Sequence, residues 1–511
     1  MGDADPEFVE RVIDHVLSHP VGYFILFSYL AIELVFYLYI ILYLDPLIQE
    51  PIGQKHTPVQ EALYTSSTKE SLYEVLFMLN KVKDHYSFES WCHLLFLRAN
   101  LEDVYTENMD SAFAWAIYTK ELYELDEVEK VAVVSFRKEA LQMFGATLKE
   151  GFNPDVRHVR FNLEPVTYIH KPLISYAALT IVDSYAHIHL SGLGFKRYWL
   201  PDGTSYWYRP CSVDGKNGYS GNVDGSSSPE SSRLLNDEVS YGTEVRNSDI
   251  NGNKSKSELK AKDPILVLHG ICPGWGYYLK LISVFSDRAM ILYENDAIKW
   301  NWITLNVSEP SVVCENVETI LETHAISKVS IVSHSWGTFL ATWLVKSKPK
   351  LVSHLALIEP IAVNVELFDT TYYVLYQQGC SLQDLCINIF IRNDITVSNN
   401  LRRHFAWYNC SLHLQDVPDH IGVFVSIAEE DKLVHAGAAE AFVKYEMKMR
   451  ESGRGGHVGA STKTGRVAAI SYKIWEGYSH GMTCDSFEAV NEIKRRIDFS
   501  EVDVVSEHFD V

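Results

Sequence analysis

Positive charge is what this 511-residue chain has least of. Its 45 Lys and Arg stand against 66 Asp and Glu, for a formal net charge of −21 at pH 7 and a pI near 5.4. A nucleic-acid backbone would be repelled by such a chain, and no basic cluster interrupts the acidity, so a DNA or RNA binder is excluded. Cysteine is also sparse. The eight (92, 211, 272, 314, 380, 386, 410 and 484) are scattered, with no C-x-x-C and no His-rich companion at metal spacing. Neither a zinc site nor a dense disulfide scaffold is indicated, although a bridge among Cys380, Cys386 and Cys410 stays open if that segment meets an oxidising compartment. Asn253, Asn306 and Asn409 open N-x-S triplets, which are common by chance and leave the compartment undecided.

What the chain does have is apolar material. It is 47 % hydrophobic and longer than the usual ceiling for one compact unit, so either several units or one unit with additions is expected. Residues 1–20 form a polar, mostly acidic head. Residues 21–44 are almost wholly apolar and aromatic, with Glu33 as the sole charge. At ~1.5 Å per residue such a run covers a ~30 Å hydrocarbon core, so a transmembrane helix is expected; a buried core helix is the bland alternative. A cleaved signal peptide fits less well, since the head is acidic and bulky Tyr43 and Leu44 stand where small residues would precede cleavage. Basic residues are too few on either side (Arg11, Lys55) for the positive-inside rule to assign an orientation. The chain reads as a single-pass membrane protein, with the endoplasmic reticulum as a working guess for which membrane.

Residues 52–160 repeat apolar residues at helical spacing, with Ser67-Thr68-Lys69-Glu70 as a capping box before Leu72, Val75, Leu76 and Leu79. A helical region packed on the rest is expected. His187-Ile188-His189-Leu190 and Lys196–Leu200, then Pro201-Asp202-Gly203 and Tyr206-Trp207-Tyr208, suggest a hairpin over 185–210, with the two histidines as strand packing rather than metal ligands. Residues 212–262 are rich in Gly, Ser, Asn and Asp and are expected to be a disordered insertion. Beyond them, strand-like and helix-length segments alternate, which predicts a parallel sheet covered on both faces within a domain spanning 165–511. The candidate strands are Ile265–His269, Trp302–Val307, Val329–Val332, Leu355–Ile358, Val423–Ile427 and Ser471–Trp475. The long aromatic interval 361–420 is too long for a structureless loop and reads as a helical lid.

One short stretch organises the chemistry. Ser333-His334-Ser335-Trp336-Gly337 joins the β-rich run 329–332 to a helix-length apolar run, the pattern of a strand, a sharp turn and a helix with serine at the apex. The turn needs small residues two positions either side of the apex. Ser335 meets that demand with Ser333 and Gly337, whereas Ser333 at the apex would place Ile331 at a flank, so Ser335 is the candidate nucleophile and His334 a packing neighbour. A serine needs a base and a carboxylate to orient it. His480, in Tyr478-Ser479-His480-Gly481, follows the last candidate strand. Asp431 leaves the preceding one in Glu429-Glu430-Asp431-Lys432-Leu433-Val434 and is preferred to Glu430, with Glu359 third. The oxyanion needs preorganised N–H groups, assigned to Trp336 after the nucleophile and to Ile271 in His269-Gly270-Ile271-Cys272.

Leu266-Val267-Leu268-His269-Gly270, the turn at 333–337, Asp431-Lys432-Leu433-Val434 and His480-Gly481 occur in the order of the α/β-hydrolase superfamily, and the chain resembles its serine lipase/esterase-like branch over about 185–511 less the insertion. It departs from the commonest turn in having Ser333 where Gly is usual. The resemblance implies an α/β-hydrolase fold, a mostly parallel central sheet with helices on both faces, and acyl transfer through Ser335 with no cofactor and no metal. The expected function is a membrane-anchored serine hydrolase acting on a lipid or other acyl ester. The alternatives are hydrolysis or acyl transfer on a thioester, amide or peptide, and a non-catalytic membrane-tethered scaffold.

Overall fold

In a computed structural model of the chain, the described residues are 20–49, seven positions between 69 and 80, 86–211, 262–451 except 301 and 364, and 469–501. The acidic head before residue 20, most of the capping box at 67–70 and the insertion to residue 261 lie outside them.

Eight strands form one sheet: β1 (Lys196–Trp199), β2 (Ser205–Arg209), β3 (Ile265–Leu268), β4 (Met290–Tyr293), β5 (Val329–His334), β6 (Val352–Ile358), β7 (Gly422–Ala428) and β8 (Ile470–Trp475), in the order β1-β2-β4-β3-β5-β6-β7-β8. β1 and β2 join antiparallel at one edge, and every pairing from β4 to β8 is parallel. The inner strands β3, β4, β5 and β7 are buried along their whole length, as parallel strands covered on both faces are, whereas β8 at the edge is only partly buried. Alternate residues feed two cores. Leu266, Ile331, Leu355 and Val425 join the core containing helices Pro310–Thr323, Gly337–Ser347 and Ala436–Glu451. Val267, Val332, Ala356 and Phe424 join the core of helices Leu279–Val284 and Phe487–Glu501.

Two expectations are corrected. The second parallel strand is Met290–Tyr293, not Trp302–Val307. The latter segment has no strand partner; Thr304 N–H donates to Thr396 Oγ1 at 3.1 Å, and Ile303 and Leu305 pack on the apolar cluster around Ile40 and Ile48. His187–Leu190 is not a strand but the last turn of helix Leu173–Gly192, so the hairpin begins only at Lys196. The alternation of His and apolar residues there is the tail of a helical ladder whose buried rungs are Tyr176, Asp183, Ala186 and Leu190. The apolar N-terminal run is helical from Pro20 and continues through a π turn at Ile40–Leu44 to Gln49. It is long and apolar enough to cross a membrane from Phe24 onward. From Glu33 onward one side of it meets the body: Phe36 packs on the cluster in which Ile40, Leu44 and Ile48 are buried against Val166 and Ile395, so residues up to 44 are not uniformly available to lipid.

The helices Phe88–Leu95, Thr106–Tyr118 and Glu127–Phe144 share the first core with the sheet instead of forming a domain of their own. They brace the segment between β6 and β7. Trp91 Nε1 donates to Glu366 O at 2.9 Å, Tyr86 OH reaches Asp369 Oδ2 at 3.1 Å, and Arg160 N–H donates to Tyr376 OH at 3.1 Å. That segment is a chain of short helical turns from Ile361 to Asp416, several of them π turns.

Candidate active site

The residues named from sequence all leave the same edge of the sheet, the carboxyl ends of the parallel strands, where ligands bind in open α/β sheets. Ser335 follows β5 with φ +50°, a strained value for a residue with a side chain. The turn is held by close backbone approach: a Cβ on Gly337 would lie 2.2 Å from Leu268 O, so only glycine fits. Ser333 tolerates the opposite flank because its hydroxyl turns to β6 and donates to Ala356 O at 3.3 Å. Gly270 is equally constrained, since a Cβ there would meet Ser335 Cβ at 2.9 Å.

His480 stands between its two expected partners. Nε2 is 2.8 Å from Ser335 Oγ and Nδ1 is 2.7 Å from Asp431 Oδ2. The Asp431 side chain is fully buried, and its other oxygen accepts the N–H groups of Leu433 (2.7 Å) and Val434 (3.1 Å). The Leu-Val pair thus fixes the carboxylate through its backbone. Burial works against a charged His480, but the negative charge of Asp431, its hydrogen bond and the charge of Glu359 outweigh it and raise the imidazole pKa to about 9.

The two N–H groups expected to hold an oxyanion belong to the loop after β3 and the turn after β5. Gly270 N–H is used, donating to Tyr278 OH at 2.7 Å, which leaves the Ile271 N–H as the next donor in that loop. Among the described residues neither Ile271 N–H nor Trp336 N–H has a backbone acceptor. Trp336 sits at the start of helix Gly337–Ser347, its ring packed on Phe339 and Phe405 at 4.9 and 5.4 Å between centroids.

Behind His480 lies a network that the sequence did not announce. Gly270 N–H donates to Tyr278 OH, Tyr278 OH reaches His334 Nδ1 at 2.8 Å, and His334 Nε2 reaches Glu359 Oε2 at 3.1 Å. One proton arrangement satisfies every link: the tyrosine donates to Nδ1, and Nε2–H donates to the carboxylate. His334 is therefore a hydrogen-bonded member of the site rather than a packing residue. Glu359, placed third as the acid, sits at the end of β6 with φ +46°. It accepts Thr483 N–H at 3.1 Å and Gly481 N–H, and its Oε2 lies 3.9 Å from His480 Nδ1. Burial disfavours its charge, but the His334 hydrogen bond, the nearby imidazoles and Thr483 bring its pKa down to about 2. A carboxylate at the end of a parallel strand was the available signal; Tyr277 and Tyr278 gave none. Glu430, the near alternative to Asp431, donates its N–H to Tyr478 O and is exposed.

His334, Glu359 and His480 bring three metal-ligand atoms within 4.8 Å of one another. Each is already engaged, His334 with Glu359 and His480 with Ser335 and Asp431, so the lone pairs serve a proton network instead of converging on one point. A cavity of about 700 Å³ abuts Trp336, Trp343 and Phe405, but Ser335, His480 and Ile271 do not line it.

The family model described as the alpha/beta hydrolase fold matches residues 263–383, which hold β3 to β6, Ile271, Ser335 and Glu359. This is an α/β-hydrolase fold. The α/β-hydrolase-fold chain is similar to several solved structures. One is a membrane phospholipase A described as a bacterial virulence factor (11 % identity, TM-score 0.39, covering 65 % of this chain and 94 % of that one). Another is a carboxylesterase from Bacillus subtilis (9 %, 0.34, 63 % and 98 %). A third is an α/β-hydrolase-fold protein from Chitinophaga pinensis (10 %, 0.35, 60 % and 97 %). No curated protein matches the chain.

Proposed function

We propose that the protein is a membrane-anchored serine hydrolase that cleaves a carboxylic ester of a lipid, acylglycerol-like substrate through an acyl-enzyme on Ser335. The observation that carries this reading is the single imidazole of His480 bridging a strained serine hydroxyl and a buried carboxylate at 2.8 and 2.7 Å.

In this reading Ser335 Oγ attacks the ester carbonyl carbon while its proton passes to His480 Nε2. The oxyanion is held by the N–H groups of Trp336 and Ile271, each contributing roughly 2.7–4 kcal/mol to lowering the barrier, with the positive end of helix Gly337–Ser347 behind them. His480 gives the proton to the leaving alkoxide oxygen, the C–O bond breaks, and the acyl group stays on Ser335. Water then attacks, His480 takes its proton and returns it to Oγ, and the carboxylic acid leaves. Asp431 keeps Nδ1 protonated and steadies the imidazolium in each half-reaction.

A lipid substrate is supported by the apolar helix from Phe24 to Gln49 and by the aromatic segment between β6 and β7, which brings Phe405 onto Trp336, the residue after the nucleophile. The test is a panel of long-chain acylglycerols, thioesters and peptides presented to the full-length protein in phosphatidylcholine vesicles. The acylglycerol is expected to turn over fastest; faster turnover of a thioester or peptide would refute the substrate assignment.

A further inference from the structure

Helix Leu173–Gly192 has no Lys, Arg or Glu in its 20 residues. Its one acid, Asp183, points inward and is 3.2 Å from Lys299 Nζ. The inner side rests on the turn Trp275–Tyr278, where a Cβ on Gly276 would lie 3.7 Å from Ala186 Cβ. The outer side is apolar and uncovered: Ile174, Ile181, Tyr185 and Ile188 are 66, 71, 66 and 73 % exposed. An apolar stripe of this length is costly against water and marks a contact surface.

Its position says what covers it. The helix begins where the apolar N-terminal helix meets the body of the protein. Glu33 accepts the Leu173 N–H at 3.1 Å and bonds His170 Nε2 at 3.0 Å, and Phe36 packs edge-on against Tyr176 at 5.8 Å. Tyr176 in turn stacks on Trp302, which is half-exposed. The two helices therefore meet at the first turn of helix Leu173–Gly192, where Tyr37 packs edge-on against His170 at 5.0 Å and the half-exposed Trp302 stacks on Tyr176, aromatic types that gather at a membrane–water interface. The N-terminal helix keeps one side apolar and exposed as far as Leu47 while its other side touches the body from Glu33 onward, so the start of helix Leu173–Gly192 lies directly against the apolar helix.

We infer that helix Leu173–Gly192 is a second membrane-contacting element, lying in the plane of the lipid–water interface with Ile174, Ile181, Tyr185 and Ile188 among the acyl chains. The inference rests on the reading of residues 20–49 as a membrane anchor. With no Lys or Arg along it, and His189 as the one basic side chain on its outer face, near the carboxyl end, the helix selects the apolar interior of the interface rather than anionic headgroups, so its contact is insensitive to salt. The turn beneath it carries Tyr277, whose hydroxyl donates to Gly481 O, so the lipid-facing helix and the loop of His480 share one support.

The test uses the full-length protein in phosphatidylcholine nanodiscs containing a trace of phosphatidylcholine with a photoactivatable acyl chain, followed by mapping of the cross-linked peptides. Adducts are expected in both 20–44 and 173–192, at equal yield in low and high salt. Adducts in 20–44 alone would overturn the inference and leave the anchor standing, whereas adducts in neither would overturn both. The variant Ile181→Asp/Ile188→Asp, altered only at exposed positions, is expected to keep its thermal midpoint and its adducts at 20–44. Its adducts at 173–192 should fall about tenfold or more. Unchanged labelling of 173–192 in the folded variant, or conversion of an unlabelled wild-type dimer to a monomer, would contradict the lipid assignment. The wild-type adduct map decides the matter even if the variant fails to fold.

Discussion

Two buried carboxylates approach the same imidazole from neighbouring strands, and their surroundings differ in kind. Asp431, after β7, gives one oxygen to His480 Nδ1 at 2.7 Å and the other to its own loop. Glu359, after β6, stands 3.9 Å from that nitrogen and spends its bonds on His334 and on the backbone just beyond His480. The first can choose a tautomer; the second can only hold the loop and lend charge. Proximity of an acid to a histidine therefore does not by itself assign a role, whereas the count of what each oxygen already accepts does.

Exchange of the two acids tests that distinction. Asp431→Asn removes the group that keeps Nδ1 protonated, and kcat is expected to fall on the order of 10⁴-fold with the thermal midpoint little changed. Glu359→Ala leaves two backbone N–H groups and His334 without their acceptor, so its main effect is on folding. A loss of about 3–5 kcal/mol by denaturant titration is expected. If Glu359→Ala instead left stability intact and abolished turnover, the roles drawn here would be reversed.

A milder change separates charge from shape. Glu359→Gln keeps most of the acceptors and is expected to cost about 1 kcal/mol in the barrier, roughly fivefold in kcat/KM. Its signature is in the pH profile. His480 must be neutral to act as the base, and its pKa is raised in the folded protein, so kcat/KM should climb with pH through a midpoint above 6.5, on the way to about 9. Removing the Glu359 charge takes away one of the influences that raise this pKa, so the midpoint moves to lower pH. The smallest effect is expected from Ser333→Gly, which loses the bond to Ala356 O and restores the commoner turn, at a cost of about 1 kcal/mol or less.

The same contrast runs through what could be read in advance. β3 and β5 to β7 were visible as largely buried, apolar-rich runs and the edge strand β8 by its β-branched and aromatic residues, and Ser335, Asp431 and His480 because each follows one of these strands. β4, Met290–Tyr293, is as short and as buried as β3 but was passed over for Trp302–Val307, which has the composition of a strand and packs Ile303 and Leu305 on the cluster around the N-terminal helix instead of pairing. The Glu359–His334–Tyr278 chain was hidden for another reason: it joins three separate segments through side chains, and no local pattern encodes which hydroxyl meets which imidazole. Glu33 looked like an isolated charge in an apolar run until the structure supplied His170 and the first N–H of helix Leu173–Gly192 as its partners.

The central claim is that the serine at the apex of the turn after β5 is activated by His480. Treating the full-length protein with a fluorophosphonate and locating the adduct by peptide mass spectrometry tests it most directly. The account predicts one adduct, on Ser335, lost in Ser335→Ala and strongly slowed in His480→Ala. A folded protein that takes no label, or one labelled at another serine while Ser335 stays free, would contradict it.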